Sequence, residues 1–207
     1  MTKSQPQIPP PNQPKKKGAF DAALASSAGP CHDAEVTPGS SADSGSPADA
    51  GRDFAVVCYR EEGRWELGLL PERASSSLEA LISALRQQPG EVGAVGLIDV
   101  DDDFFVAVRV AGDDVRLLLS DVTAADEWPL AREVLEWLGI PEPTDEDFDD
   151  VEPVGDLGLF ADLGLPEIEL GLMLSDIDAY ADEMLFSIAR RLGFGDDLER
   201  LVDAGVH

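Results

Sequence analysis

Phe104–Asp121, FFVAVRVAGDDVRLLLSD, is the stretch on which the fold turns. Phe104, Val106, Val108 and Val110 alternate with Phe105, Ala107 and Arg109. After the loop Ala111-Gly112-Asp113-Asp114, a second alternating run extends from Val115 to Asp121. Period-two apolar spacing on both sides of a short Gly/Asp loop predicts a β-hairpin. Pairing Val110 with Val115 sets Val108 against Leu117 and Val106 against Leu119, which gives one apolar face. The same register places Arg109 opposite Arg116 on the other face, where like charges repel unless acids lie near. Asp99, Asp101, Asp102 and Asp103, just upstream, are the expected acids. Arg109 and Arg116 are otherwise a candidate contact for an anion or a partner's carboxylate.

Upstream, Phe54–Arg60 (FAVVCYR) and Arg64–Leu70 (RWELGLL) read as two strands joined by Glu61-Glu62-Gly63, a second hairpin. Pairing Arg60 with Arg64 places Ala55, Val57 and Tyr59 beside Leu69, Leu67 and Trp65. Pro71 ends the second strand. Ser75-Ser76-Ser77 then offers an N-cap to Leu78, Leu81, Ile82 and Leu85, whose spacing predicts an amphipathic helix ended by Pro89-Gly90. Val92–Val100 is a third strand, with glycines that allow a bulge or a close approach by the helix. Downstream of the central hairpin, Leu130–Leu138 is helical, and Gly139 and Pro141 stop it.

Residues 141–158 are acidic and proline-bearing, and read as a linker. Leu157, Leu159, Phe160, Leu163, Leu165, Ile168 and Leu170 then alternate with glycines and acids, a pattern that fits neither strand nor helix cleanly. Ser175 and Asp176 are cap candidates for a helix that runs to Leu192, where Gly193 ends it, and Asp196–Ala204 is a short final helix. On the longer helix Tyr180, Met184, Leu185 and Ile188 belong to a wide apolar stripe, a candidate docking element whose alternative is packing on the chain's own sheet. The expected class is therefore α+β: a mostly antiparallel sheet of about five strands with packing helices, followed by a small helical C-terminal unit. The expected division is a disordered Pro/Ser/Ala-rich tail over 1–52, an α+β domain over 53–140, a linker over 141–158 and the helical unit over 159–207.

Charge narrows the function classes. Forty-two acids face fifteen basic residues in 207, a formal net charge of -27. All four lysines lie in the first seventeen residues, so the chain from Arg52 onward carries 11 arginines against 37 acids, a net of -26. Such a surface repels phosphate backbones and favours a basic protein partner over direct nucleic-acid binding. The two cysteines, Cys31 and Cys58, suggest neither a disulfide framework nor a zinc site, and no stretch has the length of a membrane span. A cytoplasmic protein without cofactor is expected.

Catalytic motifs are missing where chemistry would need them. The only histidines are His32, in the tail, and His207, the last residue, so triad chemistry has no placed imidazole. The H-x-E and P-C-x-x-C motifs of zinc deaminases and the phosphate-binding glycine loops are absent. Asp99, Asp101 and Asp103, and again Asp145, Asp147 and Asp149, copy the start of a calcium loop. Both lack its central glycine and its closing glutamate.

The segments FAVVCYREEGRWELGLLP, GAVGLIDVDDDFFVAVRV, VRLLLSDVTAA and DEMLFSIARRLGF resemble the bacterial tRNA adenosine deaminase-associated proteins, small acidic proteins named for genes beside a tRNA-specific adenosine deaminase. The resemblance spans Asp53–Ala204 and brings no catalytic signature. It implies an association with the deaminase; together with the missing catalytic motifs, the expected function is a non-catalytic acidic accessory protein that binds a protein partner such as the deaminase. Two alternatives stay open: a carboxylate-based enzyme dependent on a divalent metal, and an acidic nucleic-acid mimic occupying the partner's tRNA site.

Overall fold

The computed structural model describes residues 53–90, 92–143, 151–176 and 178–205. The tail expected over 1–52, residues 144–150 of the expected linker, Ile177 and His207 lie outside the described residues. In chain order the strands and helices are β1 (Phe54–Glu61), β2 (Arg64–Leu69), α1 (Glu72–Ser75), α2 (Leu78–Leu85), β3 (Ala94–Val100), β4 (Phe104–Ala111), β5 (Asp114–Leu119), α3 (Pro129–Leu138), β6 (Val154–Gly155), α4 (Glu167–Leu174), α5 (Ala181–Leu192) and α6 (Gly195–Gly205). Short 3-10 turns cover Val122–Ala125 and Ala161–Leu163. The strands form one antiparallel sheet in the order β2-β1-β3-β4-β5-β6, so the class is α+β with six strands. The sixth comes from the stretch read as linker: Val154 and Gly155 pair with Leu119 and Leu118.

The central hairpin has the register its alternation demands, with Val110 opposite Val115, Val108 opposite Leu117 and Arg109 opposite Arg116. The first hairpin does not. Arg60 pairs with Trp65 and Glu61 with Arg64, one residue away from the expected register. The cause is the turn. Glu62 and Gly63 both have positive φ, +49° and +75°, the conformation of a two-residue type I′ turn rather than a three-residue loop. Because side chains alternate, the slip moves Trp65 and Leu67 to the opposite face from the one expected. They pack there with Val56 and Cys58.

Helices cover both faces of the sheet. On one, α2 and α3 bury Leu81, Leu85, Val134 and Leu135 against Ile98, Val106, Val108 and Leu117. Ser77 caps α2, its hydroxyl accepting from the Ala80 N–H at 3.3 Å. Gly96 lets this helix sit close, since a Cβ there would lie 3.2 Å from both Leu81 and Leu85. On the other face, α4, α5 and α6 bury Leu170, Leu185, Ile188, Leu192 and Leu198 against Val56, Leu97, Phe105 and Leu118. The Trp65 indole stacks near Phe194 and donates to the Leu192 carbonyl at 3.0 Å, fixing the end of α5 to β2. Double coverage explains why β4 is buried from Phe104 through Val110, as strands with two dry faces must be.

α5 starts later than its expected caps. Ser175 closes α4, and the helix begins at Ala181, with the Glu183 carboxylate accepting from the Tyr180 N–H at 3.4 Å.

Val108 has no solvent exposure and lies at the middle of the central hairpin. Val108→Asp is expected to unfold the protein, because an unpaired buried carboxylate costs several kcal/mol, comparable with a domain's whole stability. A folded circular dichroism spectrum for the variant would contradict this placement.

Candidate interaction surface

The arginine pair is committed to the fold. Arg109 is 5% exposed, and its guanidinium forks onto both carboxylate oxygens of Asp162. It also donates to the Leu159 carbonyl at 3.0 Å and to the Val92 carbonyl at 3.1 Å. Arg116 binds Asp156, whose other oxygen accepts from the Gly158 N–H at 2.8 Å. The neutralising acids are therefore Asp156 and Asp162, not Asp99 to Asp103. Those four sit at the far end of the β3–β4 hairpin, where Val100 faces Phe104. The pair is spent as a clamp that holds residues 156–162 over the sheet, and offers no open anion site.

The hydrogen bonds from Arg109 and Arg116 hold the carboxyls of Asp162 and Asp156 below the usual carboxylate range. A carboxyl lowered in the folded state contributes stability above its unfolded pKa, and loses it as pH falls through the folded value. Arg109→Ala is expected to cost about 1–3 kcal/mol at neutral pH, since it strands two carbonyls. That is less than a fully buried pair would lose, because the Asp162 side chain is 58% exposed and stays hydrated. Denaturant titration should also find the deficit shrinking in strong acid, where the clamp is lost from the wild type too.

The proposed docking stripe is mostly core. Leu185 and Ile188 have no solvent exposure and face the chain's own sheet, and Met184 is half-buried beside them. Only Tyr180, at the N-cap, is exposed. The other large exposed apolar side chains among the described residues lie elsewhere, Ile168 and Leu172 on α4, Trp137 on α3, Leu69 at the end of β2, and Val92 and Val151 in loops. The sequence EIELGLML hides the α4 pair, because its leucines alternate as a strand's would.

Cys58 is fully buried, its thiol pushed well up by burial and directed at the Val95 carbonyl, as a small core residue should be. Among the described residues, no group of three or more His, Cys, Asp or Glu is placed to hold a metal ion. No helix among them is long and apolar enough to cross a membrane.

Among the described residues, Asp99 is the unexpected buried charge. It is 1% exposed, and as carboxylates neither it nor one oxygen of Asp102 finds a donor. By strand alternation its side chain lies on the α5 face with Val95 and Leu97, and the residue also borders a cleft lined by Ile98, Val100 and Trp128. Burial first, then Asp102, Asp182 and Asp53, push its pKa up to about 8, and the protonated form donates to Asp102. A raised carboxyl acts in the opposite sense to the clamp. Its contribution is full below the unfolded value near 4 and declines until pH reaches the folded value of about 8. Asp99→Asn is expected to remove this decline, gaining on the wild type by the order of a few kcal/mol between those limits. Parallel stability-pH curves for the two proteins would contradict the buried proton.

Residues 53–195 match the Rv3753c-like tRNA adenosine deaminase-associated protein family. The chain is also similar to Protein Rv3753c of Mycobacterium tuberculosis (strain ATCC 25618 / H37Rv), at 47% identity over 158 residues, covering 75% of this chain and 91% of that protein. No solved structure matches it. With more than two thirds of its length matched by the family and aligned to this relative, the chain belongs to the Rv3753c-like tRNA adenosine deaminase-associated proteins.

Proposed function

We propose that the protein is a non-catalytic acidic accessory that binds a protein partner, and that the partner is the tRNA adenosine deaminase for which its family is named. The observation that carries this reading is that the groups equipped for chemistry are consumed by the fold. Arg109 clamps a loop, Cys58 fills the core, and Asp99 is a buried carboxyl on the central sheet whose pKa burial raises. The exterior offers what a partner needs, acidic surface broken by exposed apolar side chains. A deaminase that handles tRNA presents cationic surface to the phosphate backbone, and that surface complements a chain of formal charge -27.

Co-expression of the tagged chain with the deaminase tests this. The expected result is co-purification at low ionic strength that weakens as salt rises, because exposed charges are screened within about 10 Å at 0.1 M. Recovery of the tagged chain alone at every salt concentration overturns the reading. Adding tRNA to the complex separates a contact beside the tRNA site from occupation of the site itself, since only the latter is displaced.

A further inference from the structure

Two opposite faces of α4 are apolar. Leu170 and Leu174 are buried against the sheet, while Ile168 is 80% and Leu172 70% exposed, the largest such exposures among the described residues. Ile168 and Leu172 are four residues apart, so they form one ridge along the outer side of the helix. A surface helix ordinarily turns a polar face outward. Next to the ridge, Leu172 borders a cleft of about 430 Å³ between α4 and α5. Met173, Met184 and Phe186 also line it, with the charged groups Asp176, Glu183 and Arg190. Thioethers adapt to irregular apolar partners, and here two of them stand in an open cleft.

The local charge specifies the occupant. Residues 167–191 hold six acids and two arginines. Both cations are engaged, Arg190 with Glu199 and Arg191 with Glu169. A second copy of the chain would bring the same acids to this face and be repelled. We propose that the Ile168–Leu172 ridge and its adjoining cleft dock a basic amphipathic helix of a protein partner. Its apolar side chains enter between α4 and α5, and its lysines or arginines lie over Asp176 and Glu183. The inference rests on the accessory reading above and names the surface which that reading uses.

The probe is a fluorescently labelled Lys/Leu amphipathic helical peptide, titrated into the full chain. The wild type is expected to bind in a salt-dependent way, and Ile168→Ser with Leu172→Ser to weaken binding at least about tenfold. Trp137→Ser, removing an exposed side chain from α3, is expected to leave affinity unchanged. Thermal midpoints of all three should agree, because the substituted side chains are exposed. Should the double variant prove unstable, Asp176→Lys with Glu183→Lys decides the matter by the same tenfold loss without touching the ridge. Absence of wild-type binding, or equal binding by the variants, overturns the proposal. Capture of the deaminase by the same proteins is the second arm. If the wild type and the ridge variant capture it equally, this surface is wrong while the accessory reading survives. If the wild type captures none, the deaminase reading fails, and the peptide titration still judges the ridge.

Discussion

A sheet covered by helices on both sides leaves no place for an unneutralised charge at its centre, and Arg109 sits there. β4 is buried along nearly its whole length, so its single cation must bring its own solvent in the form of oxygens. Two carboxylate oxygens of Asp162 and two backbone carbonyls supply them. This requirement propagates. To deliver Asp162, the chain must return across β5 after α3, and on the way it adds Val154 and Gly155 to the sheet edge. It thereby carries Leu159, Phe160, Leu163 and Leu165 over the face that α5 and α6 complete. The C-terminal helices are held to the strands by an apolar core that the Arg109 fork locks in position.

Scarcity of cations sharpens the same point. With 11 arginines against 37 acids from Arg52 onward, each arginine placed inside the fold is one fewer available at the surface. Arg109 and Arg116 hold the clamp, Arg132 donates to the carbonyls of Ala125 and Asp126, and Arg190, Arg191 and Arg200 bridge acids on α6 and α4. The three C-terminal bridges are exposed and contribute little stability each. Asp99 carries the acidic excess into the interior, where burial and the neighbouring carboxylates raise its pKa.

Much of the fold was legible because alternation and caps are local properties. The central hairpin register follows from Val110 opposite Val115, and α2 and α3 follow from Ser77 and Gly139 at their ends. The first hairpin was read one residue out because Glu62 adopts a left-handed conformation that its residue type does not announce. The acids facing Arg109 and Arg116 were misassigned for a different reason. Asp99 to Asp103 are near in sequence, but Asp156 and Asp162 arrive through a long return that no local pattern encodes. β6 is a two-residue pairing and has no period to detect.

The interaction surface was the least legible part, and the geometry of α4 shows why. Ile168, Leu170, Leu172 and Leu174 recur every second residue, the spacing of a strand with one dry face. In a helix, two residues turn the chain by about 200°, so successive members of that series fall on nearly opposite sides. The same four residues that would line one side of a strand are thus divided into a buried pair and an exposed pair. No hydrophobic stripe emerges, because the apolar positions cancel around the axis. A search for amphipathic helices therefore selects α5, whose stripe is strong and whose Leu185 and Ile188 are core. It passes over α4, where the absence of a single apolar side is itself the sign of two contacts, one with the chain's own sheet and one facing outward.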